Sequence, residues 1–223
     1  MSKTIITAVD ETDLDSFKKV IDSLDSDLCM LKIGSVSFNA FGHEAVFYAS
    51  KKGFDIFLDL KLHDIPNTVK KSIEGLKSLP ISMITLHTSG GIKMMQSAMD
   101  AVKGSKIKIF GVTALTSLSD DDTNQIYQRD ASSQVNAMLD LAEESGIDGV
   151  VCSPHELNLV SKRVGLLSIT PGIRLTDTKD DQSRVMTPKQ AIELGADYLV
   201  IGRPITASDD ISASLKEIYK SIQ

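Results

Sequence analysis

Cysteine is scarce in this sequence. Of its 223 residues two are cysteines, Cys29 and Cys152, each inside an apolar run (DLCMLKIG and GVVCSP) with no second cysteine at metal-ligand spacing and no Cys/His cluster. That excludes a disulfide scaffold and a zinc module, and both read as buried thiols of a reducing compartment. Acidic residues outnumber basic ones, giving a net charge of -6 and a pI near 5.2. A general nucleic-acid or anionic-membrane binder is thereby disfavoured, although one small basic pocket for a phosphate is not. No apolar run approaches the roughly 18 residues of a membrane span, and MSKTIITAVD has no signal-peptide core, so the expected location is the cytoplasm. No pyridoxal or thiamine signature is present.

What the chain does have is alternation. Short runs rich in Ile, Val and Leu recur near 4–9, 28–33, 55–60, 83–87, 106–112, 148–152, 166–170 and 198–202, with amphipathic segments between them. Examples are LDSFKKVIDSL, HEAVFYASKK, NTVKKSIEGLKSL, GIKMMQSAMDAVK and SQVNAMLDLAEESG; Pro188 suits the first turn of a further helix and Gly195 its end. Continuous apolar strands, each followed by a helix, predict a parallel sheet covered by helices. Eight such units at this length favour an α/β fold of the closed (β/α)8 TIM-barrel type, and no composition break divides residues 1–223. Two connections, 113–131 and 171–186, are longer than a barrel needs and read as loops on the C-terminal face, where the active sites of this fold lie.

Ionisable residues gather at the strand ends. Asp10 closes the first run, Lys32 lies near the end of the second, Asp59 and Lys61 close the third, His87 closes the fourth and Arg203 follows the eighth. Strands from opposite sides of a barrel meet only at this rim, so the charges are expected to face one pocket. Asp59 and Lys61 are two apart and should point the same way, inward, where pairing with each other and with Lys32 offsets the cost of burial. A barrel-plugging ion pair would show the same pattern. Asp64, just before Ile65-Pro66, fits a catalytic role or a loop or cap role equally. Gly202 and Arg203 after the eighth strand, with Arg174 in PGIR after the seventh, stand where barrels of this type bind phosphate.

Taken together, AVD at 8–10, LKIG at 31–34, DLKLHDIPNT at 59–68, LTS at 115–117, PGIR at 171–174, DQSR at 181–184 and VIGRPIT at 200–206 resemble the orotidine 5'-monophosphate decarboxylase family, in its short bacterial form. DLKLHDIPNT is the most specific of these motifs. A bare D-x-K-x-x-D is shared with related barrels that act on sugar phosphates and need Mg2+, but those carry an acidic residue where this chain has Lys32. The resemblance implies decarboxylation of orotidine 5'-monophosphate to UMP without cofactor or metal. It implies a charge row of Lys32, Asp59, Lys61 and Asp64, with Lys61 as proton donor. It also implies a homodimer in which Asp64, Ile65 and Thr68 reach the partner's site. Asp10 and Lys32 would meet the ribose, Thr116 would sit over the pyrimidine, and Gln182, Arg174, Gly202 and Arg203 would hold the phosphate. Asp180 stands where many bacterial relatives have glycine. His63 and His87 are expected to be supporting or structural.

Overall fold

The computed structural model describes residues 3–175 and 186–223. Eight parallel strands close into one barrel in sequence order: β1 (Ile5–Val9), β2 (Cys29–Gly34), β3 (Ile56–Leu62), β4 (Met83–His87), β5 (Lys108–Val112), β6 (Gly149–Val151), β7 (Leu167–Thr170) and β8 (Tyr198–Ile201). β8 closes the ring on β1, Ile5 lying opposite Leu199. The (β/α)8 expectation is therefore met, strand for strand, with ends shifted by a residue or two.

The helices are α1 (Leu14–Asp22), α2 (Ser35–Phe41), α3 (His43–Lys51), α4 (Pro66–Leu76), α5 (Ile92–Val102), α6 (Asp120–Tyr127), α7 (Ala131–Ser145), α8 (Leu157–Val160), α9 (Pro188–Glu193), α10 (Arg203–Thr206) and α11 (Ile211–Ser221). Their starts follow local chemistry. Asp13, Asp130 and Asp210 each accept a backbone N–H of the first turn, and Pro66 and Pro188 sit where a missing N–H costs nothing. Gly195, just past α9, has a φ of +90°. The expected loop over 113–131 is corrected: it contains α6, nucleated by a capping box in which Ser119 and Asp122 exchange hydrogen bonds. The three acidic residues of SDDD look loop-like by composition but favour the positive end of a helix.

Side chains alternate across each strand, which produces two cores. One face packs against the helices, with Ile5, Val9, Leu31, Ile33, Ile56 and Leu58 among its members. The other fills the barrel with Ile6, Ala8, Met30, Phe57, Met83, Phe110, Ile169 and Val200, joined by Tyr198. Phe110 meets Phe57 and Tyr198 edge-on at ring-centroid distances of 6.5 and 6.2 Å. This plug is the floor on which the next inward layer stands. Among the described residues, no helix is long and apolar enough to cross a membrane. Cys29 and Cys152 are free and buried, and burial raises both thiol pKa values, that of Cys29 to about 11.

Candidate active site

The layer above the plug is polar. Lys32 lies two residues beyond Met30, Asp59 two beyond Phe57, Thr85 two beyond Met83 and Asp10 two beyond Ala8, so strand alternation turns all four toward the barrel mouth. The ion pairs follow directly. The Lys61 ammonium is 2.7 Å from Asp59 Oδ2, and Lys32 Nζ is 3.7 Å from the same oxygen and 3.1 Å from Asp10 Oδ1. Asp10, Lys32, Asp59 and Lys61 thus form one continuous row of alternating charge.

Asp59 is 7% exposed. Burial alone would push its carboxyl pKa up, but the charges of Lys32 and Lys61 and hydrogen bonds from Lys61 and Thr85 outweigh that and hold it below the usual carboxylate range. The carboxylate is therefore ionised and fixed. Thr85, fully buried, donates to Asp59 Oδ1 at 2.8 Å and accepts the backbone N–H of Lys61 at 2.9 Å.

Asp59 and Lys61 do meet, as their spacing of two predicts, but a regular pleat is not the reason. Between Leu58 and Leu62 the pairing of β3 with β4 slips: Leu58 faces Ile84 and Leu62 faces Leu86, so β3 carries two extra residues. Lys61 lies in this bulge with a φ of +52°, a left-handed conformation that costs a non-glycine residue about 1–2 kcal/mol. Such strain persists where surrounding contacts over-determine it, and it concentrates at functional sites.

Beside the row a cavity of about 470 Å3 opens at the ends of β1, β2, β7 and β8. Asp10, Lys32, Arg174, Gly202 and Arg203 are all among its lining residues. Arg174 is buried and donates to the Ile173 carbonyl at 2.9 Å, while Arg203 is exposed at the start of α10. Arg174 and Arg203 both line this cavity, which suits it to a phosphate-sized anion. A larger hollow of about 710 Å3 beside α1 and α11 holds none of the strand-end charges apart from Glu11 next to them.

Other expected site residues are placed differently. Asp64 is exposed, and its Oδ1 accepts the N–H of Ile65 at 2.6 Å; no ion pair among the described residues includes it. It is not the helix cap either, since Ile65 occupies that position. Ile65 and Thr68 are also exposed, Ile65 to 67%. Thr116 is half-buried in the turn after β5, and Gln182, with Asp180, lies outside the described residues. His87 is half-buried, its ring 5.4 Å from that of His63. Burial, then the neighbouring His63 and Lys61, hold its pKa below the ordinary imidazole value. Two participants escape a reading of the sequence alone. Thr85 is an ordinary strand former in an apolar strand. Gly34 is passed over because its role is to leave space: a β-carbon there would stand 2.7 Å from Lys32 Nζ and 3.1 Å from Asp10 Oδ1.

A closed parallel barrel, an alternating charge row around the buried Asp59 and a pocket lined by two arginines at its C-terminal mouth together define a (β/α)8-barrel enzyme acting on a phosphorylated small molecule. The chain belongs to the orotidine 5'-phosphate decarboxylase / HUMPS family, whose model matches residues 3–218. It is 45% identical over 221 residues to the orotidine 5'-phosphate decarboxylase of Wolbachia pipientis subsp. Culex pipiens (strain wPip), covering 98% of each chain. It is 44% identical over 229 residues to that of Shewanella sediminis, covering 99% of this chain and 97% of the relative. The crystal structure of orotidine 5'-phosphate decarboxylase from Lactobacillus acidophilus superposes with a TM-score of 0.87 at 34% identity, over the full length of both chains.

Proposed function

We propose that this chain converts orotidine 5'-monophosphate to UMP and CO2, the last step of de novo UMP synthesis. The observation that carries the reading is the buried Asp59 carboxylate, held between the Lys61 and Lys32 ammonium groups beside a pocket lined by two arginines. Decarboxylation breaks the bond between C6 and the carboxylate carbon, CO2 leaves, and the electron pair remains on C6. No ring carbonyl is positioned to accept that pair, so stabilisation must come from charge already in place. The Lys61 ammonium supplies it with little reorganisation, because Asp59 orients it at 2.7 Å. Lys61 then gives a proton to C6 as general acid and recovers one from solvent.

The remaining contacts divide the substrate. Arg174, Gly202 and Arg203 hold the phosphate together with Gln182, Asp10 and Lys32 meet the ribose hydroxyls, and Thr116 covers the pyrimidine. Binding energy from the phosphate is spent on desolvating and orienting the reacting end. Asp64, Ile65 and Thr68, exposed on their own protomer, complete the site of the second subunit in a homodimer. The reading needs no divalent cation, since the Lys32 ammonium pairs with both Asp10 and Asp59 and its charge repels one. Buried free thiols fit a reducing cytoplasm.

The test is the ultraviolet absorbance of orotidine 5'-monophosphate mixed with the protein, with and without EDTA. Loss of absorbance at equal rates in both is expected. Turnover that vanishes with EDTA would replace this reading with that of a metal-dependent sugar-phosphate enzyme. Binding of UMP with no absorbance change would leave only a phosphate-binding barrel.

A further inference from the structure

We propose that Thr85 is a positioning residue for the reaction, a single hydroxyl that sets both the plane of the Asp59 carboxylate and the left-handed backbone of Lys61. This role presupposes the decarboxylation proposed above. A threonine hydroxyl has one proton to give and lone pairs to receive, and both are used here. The proton goes to Asp59 Oδ1 at 2.8 Å, and a lone pair takes the Lys61 N–H at 2.9 Å.

Each bond constrains something that nothing else among the described residues does. Asp59 Oδ2 faces both ammonium groups, so Thr85 on Oδ1 stops the carboxylate from rotating about its own axis. The Lys61 N–H lies in the β3 bulge, where the regular ladder to β4 is interrupted. Thr85 gives that N–H a partner and thereby steadies the +52° φ from which the Lys61 side chain departs toward Asp59. Donor and acceptor are shared by one atom on the adjacent strand, so the ammonium and the carboxylate cannot shift independently. The γ-methyl is not needed for either bond, and Thr85 does not line the phosphate pocket.

Thr85→Ser and Thr85→Ala differ from each other only by the hydroxyl, and Thr85→Val keeps the shape of threonine without it. The expected result is that Thr85→Ala and Thr85→Val lower kcat on the order of 10- to 100-fold, with KM and the Kd for UMP changed by less than about threefold. Thr85→Ser should keep kcat within about threefold of the unsubstituted chain. If Thr85→Val fails to fold, judged by circular dichroism, the Ser–Ala pair carries the comparison. Equal kcat for Thr85→Ser and Thr85→Ala, in a parent chain that decarboxylates the substrate, would overturn the positioning role. An inactive parent chain would instead overturn the functional reading on which the role depends.

Discussion

Gly34 and Lys32 share one space: a β-carbon on the glycine would lie 2.7 Å from the lysine ammonium. A free lysine would swing aside, but this one is held between Asp10 and Asp59. Gly34→Ala is therefore expected to displace Lys32 by a fraction of an ångström to an ångström and lower kcat/KM on the order of 10- to 100-fold while the barrel stays folded. Steady-state kinetics alongside a thermal melt checks this, and unchanged kcat/KM would mean the row tolerates the shift.

Lys32 also governs how the stability of the protein responds to acid. The folded pKa of Asp59 lies below its ordinary value of 3.8, so the group contributes stability above that pH and loses it as pH falls through the folded value. Lys32→Met removes one of the two charges that oppose burial, and the folded pKa rises. The stability gained as pH rises from below 3.8 to neutrality should then shrink, with Lys61 preventing a complete loss. Urea denaturation of both proteins across that range measures it. An unchanged pH dependence would show that Lys61 alone balances Asp59.

Arg203 is exposed and lines the pocket together with Asp10 and Lys32. Arg203→Ala should lower kcat/KM for orotidine 5'-monophosphate by several orders of magnitude, because the proposed phosphate contact supplies binding energy that orients the reacting end. The same substitution should have a much smaller effect on orotidine, which lacks the phosphate. Equal effects on the two substrates would move the phosphate elsewhere.

Asp64 belongs to no ion pair among the described residues of its own chain, and the proposed homodimer gives it a place in the partner's site. Lys61→Ala and Asp64→Ala proteins should each be inactive alone. Mixed after dissociation, half the dimers become hybrids with one intact site of two, so about a quarter of the parental activity should return. No recovery from mixed dimers would place Asp64 in the site of its own chain.

The barrel was legible in the sequence because its evidence is local and repeated. Each strand announces itself by a short Ile/Val/Leu run, and five of the eight close near a charged or ionisable residue. α6 was not legible, since SDDDTNQIY carries loop-like composition and declares itself only through the Ser119–Asp122 capping box. Among the site residues, Asp10, Lys32, Asp59 and Lys61 are visible because charge at the end of an apolar strand is costly without a purpose. Thr85 is invisible for the opposite reason. Thr7 and Thr170 are equally buried in their strands yet take no part in the site.

Residue identity alone settled the strand count, the periodicity and the stock of charges, because these depend on neighbours within a few positions. The partnerships belong to the tertiary structure. Closure of the ring brings β1 to β8, so that Asp10 and Arg203 border one cavity across nearly the whole length of the chain. The slip between β3 and β4 decides that Lys61 reaches Asp59 through a left-handed bulge tied to Thr85, rather than through simple alternation. Register between strands is a property of packed surfaces, and no single strand contains it.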